Sequence, residues 1–194
     1  MSVDEFFAVA GLDVYAQAFE IKAGTLDPDL AKFAARLRMA ANLESIEVTG
    51  LGEESSQGYL ALMKISFAFS ALELISRDRA IKGRVSIKHS RLAAKLKTEH
   101  FSALQDYLKK SAKTKSMKND LEKFFSGNSS DLIPVVRAIR NTMFHGVLTP
   151  HTGGRPTKAR LKVFDELSSV VVKEVNALGL EVIQRRDADR RRYS

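Results

Sequence analysis

An all-α fold is what this sequence predicts, and three observations predict it. Apolar residues recur at three- and four-residue intervals through most of the chain. Glycines, prolines and short polar clusters fall between those segments and punctuate them. Only residues 45–49 read as a strand, and a short one. The chain has 194 residues, 44% of them apolar, which is enough for one domain with a sizeable core and, at most, an extension.

Taken in order, residues 3–10 and 12–21 predict two short helices, broken near Gly11 and ended by Gly24, with Phe6, Phe7 and Val9 to bury. Asp27 and Pro28 then supply a cap and a first-turn proline. The helix they start runs to residue 41 and collects Leu30, Phe33, Ala34 and Leu37 on one side. A polar loop holding Gly50, Gly52, Glu53, Glu54 and Gly58 follows. It marks the expected boundary between an N-terminal helical extension, 1–55, and the main helical bundle, 56–184.

Residues 59–77 carry two apolar seams, Leu60, Met63, Phe67, Ala71 and Leu74 on one and Leu62, Ile65, Phe69 and Leu72 on the other. A helix apolar on two sides is central and packed on both. Lys64 and Glu73 interrupt it. Glu73 either pairs with an arginine of another helix, with Arg140 the candidate, or sits as a carboxylate at the rim of the core, since an unpaired buried charge is costly. Residues 78–90 form a basic turn region, and 91–97 and 99–110 are helical. The cationic stretch 109–118, KKSAKTKSMK, reads as a link. It serves either phosphate-backbone contacts through Lys109, Lys110, Lys113, Lys115 and Lys118 or no ligand at all. Leu121, Phe124 and Phe125 mark a short helix before the punctuation SGNSSD.

Residues 131–146, DLIPVVRAIRNTMFHG, are the most informative stretch. Leu132, Val135, Val136, Ile139 and Met143 define the apolar face of a helix. Arg137, Arg140, Asn141, Phe144 and His145 fall on the other side. Ser130 or Asp131 caps the start, Pro134 belongs to the first turn, and Gly146 ends the helix. A final helix over 157–184 has Leu161, Phe164, Val171, Val175, Leu178 and Val182 at near-heptad spacing, with Ser168 in the gap. That stripe closes a bundle or pairs with a second subunit. Residues 185–194 read as a basic, mobile tail.

Charge and motifs narrow the function. The net charge of +8 is uneven: residues 1–60 carry 10 acids and 4 bases, whereas 81–120 carry 3 acids and 11 bases. Such polarity draws polyanions, nucleic acid among them, to one side, unless it is only a solvated lysine-rich surface. There is no cysteine, which removes disulfides and thiolate metal sites. His89, His100, His145 and His151 show no metal-binding spacing, so no metal and no cofactor is expected. No phosphate-binding glycine loop and no serine-hydrolase elbow is present. The acidic start predicts no secretory signal, and the apolar run 59–75 is short for a membrane span, so a cytoplasmic protein without membrane contact is expected.

What remains is Arg140-Asn141-Thr142-Met143-Phe144-His145, an arginine and a histidine with four residues between them on the non-core side of a helix. By itself the pair also suits a surface arginine and a histidine at a helix C-terminus. With its all-helical context, RNTMFHG resembles the motif of the HEPN superfamily, all-helical domains that include many prokaryotic toxin and defence ribonucleases. The resemblance covers roughly residues 57–184. It implies a HEPN-like helical bundle with Arg140, Asn141 and His145 as catalytic residues and with Glu73 and Arg137 as auxiliary candidates. It further implies metal-independent RNA cleavage, in which a ribose 2′-OH attacks phosphorus to leave a 2′,3′-cyclic phosphate. The implied partners are RNA, a second copy of the chain that completes a composite site, and an antitoxin or other regulatory protein. A non-catalytic HEPN-like module that binds RNA, a nucleotide or a protein is the alternative. Val147 stands where members paired with a nucleotidyltransferase often carry tyrosine, so the resemblance does not extend to that branch.

Overall fold

The computed structural model of the chain describes residues 28–47, 49–145, 148–152 and 157–193. The helices expected over 3–10 and 12–21, the cap at Asp27 and the stop at Gly146 lie outside the described residues. Within them are seven α-helices: α1 Pro28–Asn42, α2 Glu53–Ile75, α3 Ser90–Leu96, α4 Ser102–Ser111, α5 Lys115–Phe125, α6 Ile133–Phe144 and α7 Lys158–Tyr193. A single 3-10 turn, Glu99–Phe101, leads into α4. The fold is all-α, with no strand among the described residues. Residues 45–47 of the expected strand have no regular structure. Among the described residues there is no strand for this segment to pair with, and a lone strand is not stable.

Helix α2 is the hub, packing against α1, α6 and α7. It begins earlier than the polar loop suggests. Glu53 and Glu54 occupy its first turn, where carboxylates offset the exposed N–H dipoles. Its seam Leu62, Ile65, Phe69 and Leu72 is fully buried; on the other seam Ala71 is buried and Leu60, Met63, Phe67 and Leu74 are half-buried. Among the described residues α2 is the one helix long and apolar enough to cross a membrane. Yet 61% of its most apolar window is buried inside the fold, so that hydropathy is spent on the bundle core. Gly58, expected in the loop, lies within α2, where a side chain would run into Pro150.

Helix α1 shares this core. Leu30, Phe33 and Leu37 join the same buried cluster as Leu62, Val136 and Val171. Each large apolar side chain so buried contributes about 1.5–3 kcal/mol. Residues 28–42 are thus one wall of the bundle, and the loop at 50–52 does not separate two cores. The approach of α1 to α7 is close because position 179 is glycine: a Cβ there would fall 2.2 Å from the Phe33 ring.

The terminal stripe closes the bundle within the chain. Leu161, Phe164, Val171, Val175 and Val182 are buried, and α7 makes its main contact with α2. Ser168, also buried, donates to the Asp165 carbonyl at 2.8 Å, which satisfies its hydroxyl inside the apolar stripe. The helix does not stop at residue 184 but continues to Tyr193. Arg186, expected in a mobile tail, binds Asp78 at 2.7 Å, and Arg84 pairs with Glu181. The Arg186 pair to the 78–84 turn gives the extra turns of helix a tertiary partner that their own sequence does not advertise, and the Arg84–Glu181 pair holds the turn just before them.

Candidate functional site

The site is built on α6, and its first turn shows why the helix starts where it does. One oxygen of Asp131, Oδ1, accepts from the Ile133 amide and from the Ile87 amide, each at 3.0 Å. The first bond satisfies an orphan donor of the helix N-terminus. The second ties α6 to the turn before α3, where Leu132 N–H also donates to the Ile87 carbonyl at 2.8 Å. Pro134 takes a first-turn position, as its missing N–H requires. Leu132, Val135, Val136 and Ile139 are buried and Met143 is half-buried, so the rotation of the helix is fixed. Arg140, Asn141, Phe144 and His145 are turned out of the core by the same rotation.

Arg140 is held on several sides. Its Nη2 lies 2.7 Å from Glu73 Oε2, its Nε donates to Ser70 Oγ at 3.3 Å, and its Nη1 donates to Asn141 Oδ1 at 2.9 Å. Glu73 is therefore an arginine partner on the central helix, 67 positions away in sequence. Ser70, buried and one turn before Glu73, is a member of the site that the sequence pattern did not single out. Its spacing of three from Glu73 puts both on one face of α2, which is the signal that was available. These contacts use three of the five guanidinium N–H donors. The guanidinium carbon also lies 5.6 Å above the ring of Phe144, which is 57% exposed and edge-on to Phe67 at 6.3 Å.

Asn141 directs its oxygen to Arg140 and its Nδ2 toward Met117 Sδ, at 3.9 Å. It does not orient the imidazole of His145; Lys113 has that contact. The Lys113 ammonium lies 3.2 Å from His145 Nε2. An ammonium has only protons to give, so Nε2 is the acceptor and its lone pair faces the cation. His145 caps the C-terminus of α6 and is exposed. Asn141, His145 and Lys113 line one groove of about 410 Å³ with Ser111, Met117 and Thr142. Arg140 adjoins it through its bond to Asn141.

The cationic stretch divides in three. Lys109 and Lys110 end α4, Lys113 lies in the turn, and Lys115 and Lys118 are exposed in the first half of α5. Thr114 caps α5, its hydroxyl accepting from the Met117 amide at 3.2 Å, and so sets where the turn ends. The stretch is mostly helical rather than a link. Of its five lysines, Lys113 is the one in contact with the motif. Lys109 instead lies over the Phe125 ring at 5.4 Å. Arg137 is exposed over the Phe69 ring at 6.0 Å and takes no part in the bonds joining Glu73, Arg140 and Asn141.

The other histidines serve elsewhere. His89 Nδ1 accepts from the Leu92 amide at 3.1 Å and caps α3. His151 Nε2 lies 2.8 Å from Ser55 Oγ. Among the described residues no three of His, Asp and Glu gather as a metal ion would require. What the groove offers is an imidazole with an acceptor nitrogen, a fixed guanidinium beside it, an amide and a lysine. Comparison with family models, with curated proteins and with solved structures returned no match for this chain.

Proposed function

We propose that the chain is an endoribonuclease of the HEPN type, toxin- or defence-like, that cleaves RNA without a metal ion. The observation that carries this reading is the groove in which Asn141, His145 and Lys113 meet, with Arg140 fixed at its edge by Glu73. In the reaction His145 Nε2 takes the proton of a ribose 2′-OH. The 2′-oxygen bonds to the adjacent phosphorus as the bond to the 5′-oxygen breaks, leaving a 2′,3′-cyclic phosphate. Arg140 and Lys113 meet the charge that builds on the phosphate oxygens. The departing 5′-oxygen needs a proton from the opposite side, and one chain carries one motif histidine. A second copy, related by a two-fold axis, supplies His145 as the acid. Lys110, Lys115 and Lys118 contribute sequence-independent attraction for the backbone. An antitoxin or other regulatory protein is the expected protein partner of such an enzyme.

One observation favours a second reading, a non-catalytic module that binds RNA or protein. Three of the five donors of Arg140 are already engaged inside the chain, as they would be in a purely architectural arginine. Labelled single-stranded RNA and tRNA in EDTA separate the two. Cleavage to cyclic-phosphate ends that is lost in both Arg140→Ala and His145→Ala is the result expected of the enzyme. Retained RNA binding without cleavage, indifferent to His145→Ala, would establish the module. Light scattering that finds only monomer at micromolar concentration would remove the composite site.

A further inference from the structure

A second cavity, away from α6, lies where α1, α2 and α7 meet, and its volume is about 430 Å³. Small residues open it: Ala40 and Ala41 on α1, and Ser169 and Ala177 on α7. Leu37 and Val172 give it apolar walls. Two features make it more than a packing gap. Asn176 lines it and is only 4% exposed, yet its Oδ1 finds no hydrogen-bond donor among the described residues. A buried amide oxygen without a partner costs roughly 1–3 kcal/mol, so such an atom invites a donor from outside the chain. Lys64, half-buried on α2, and Lys173, exposed on α7, also line the cavity, and among the described residues no acidic side chain joins them there.

The lining therefore has a direction. Its buried end presents acceptors: Asn176 Oδ1, and the hydroxyl oxygen of Ser168, whose proton is given to the Asp165 carbonyl. Its lysines present positive charge. Between them the surface is apolar and the space is within the range of small-molecule sites. We propose that this cavity binds a small organic anion that carries a hydrogen-bond donor at its far end, with the anionic group at Lys64 and Lys173 and the donor on Asn176 Oδ1. The site is separate from the α6 groove, shares no lining residue with it, and stands whether or not the chain cleaves RNA.

The probe pair 4-hydroxybenzoate and benzoate tests it on the full chain. They share the carboxylate and the ring, and only the first has the distal donor. Methyl-detected NMR of Leu37 and Val172 is expected to shift on titration, with 4-hydroxybenzoate binding about tenfold tighter than benzoate, because only it satisfies the buried oxygen. Asn176→Leu is expected to abolish that preference. Lys64→Gln and Lys173→Gln are expected to weaken both probes by about threefold to tenfold at low salt. Lys173 is exposed, so its variant keeps the test alive if Asn176→Leu does not fold. The proposal is overturned by equal affinity for the two probes, or by no methyl shift up to about 10 mM. It is overturned equally by a preference that survives Asn176→Leu, or by cross-peaks from another part of the chain to the Leu37 and Val172 methyls.

Discussion

Replacing Gly179 by valine tests whether α1 belongs to the core. A Cβ at this position falls 2.2 Å from Phe33 Cζ and 2.6 Å from Cε1, where ordinary contacts begin near 3.4 Å. The ring must therefore retreat by about 1.2 Å, and Phe33 is fully buried, with no solvent to retreat into. Overpacking of this kind costs about 1–3 kcal/mol. Alanine would recover about 1 kcal/mol of helix propensity, but β-branched valine recovers only a few tenths and brings two more methyl groups. The expected net loss for Gly179→Val is about 1–3 kcal/mol. For a chain of this size that lowers Tm by about 2–12 °C, read by circular dichroism and checked by urea unfolding. Phe33→Leu, mild by itself, makes room for the new side chain, so the double variant loses less than the sum of the singles. A Tm for Gly179→Val equal to or above wild type, or strict additivity in the double variant, would refute the α1–α7 contact.

Glu73→Gln keeps the shape of the Arg140 partner and removes its charge. Both side chains are about a third or more exposed, so the pair is screened and worth at most about 1 kcal/mol of stability. Tm is expected to fall by less than about 4 °C while the proposed RNA cleavage falls by about tenfold or more; a cleavage rate equal to that of the unsubstituted chain would separate Glu73 from the site. Asp131→Ala removes a cap of α6 and the tie to Ile87 together, and is expected to cost about 1–2 kcal/mol in chemical denaturation. The carboxyl of Glu166 is held below its ordinary 4.5 chiefly by its hydrogen bond to Lys95. A lowered folded-state pKa stabilises above the unfolded value and is lost as pH falls through the folded one. Wild type is therefore expected to lose stability more steeply than Glu166→Gln as pH drops below about 4.5, and parallel Tm–pH curves would contradict the pairing.

The helices with long apolar stripes were legible because periodicity reports burial directly. Two seams on α2 mean two covered sides, and Leu132, Val135, Val136 and Ile139 face inward on α6 as their spacing requires. The pairing of Glu73 with Arg140 was only one of two readings the pattern left open, the other being a carboxylate at the rim of the core. Glu73 is in fact exposed at the rim and pairs with Arg140 from there, which helix periodicity alone does not decide. What failed to show was decided by distant contacts. The glycine-rich loop at 50–52 resembles a boundary, since nothing local says that Phe33 fills the space left by Gly179. The last turns of α7 lack an apolar stripe and are placed instead by Asp78, 108 residues earlier. Lys113 was identifiable as a basic residue but not as the neighbour of His145. That contact depends on how α4, α5 and α6 pack, which charge patterning does not encode. The strand expected at 45–49 failed because β propensity has no value without a partner strand.

The central position of α2 has a consequence for synthesis. Its end leaves the ribosome about eighty residues before the start of α7, the helix that covers much of its apolar surface. At cellular translation speeds that interval lasts on the order of ten seconds. Throughout it, a segment with a mean hydropathy of 1.5, long enough to span a bilayer, is without its principal cover. The nascent chain must shelter this segment with α1 and then α6, or with a chaperone, and a truncation before residue 158 would leave it open to aggregation or to mistaken delivery to a membrane.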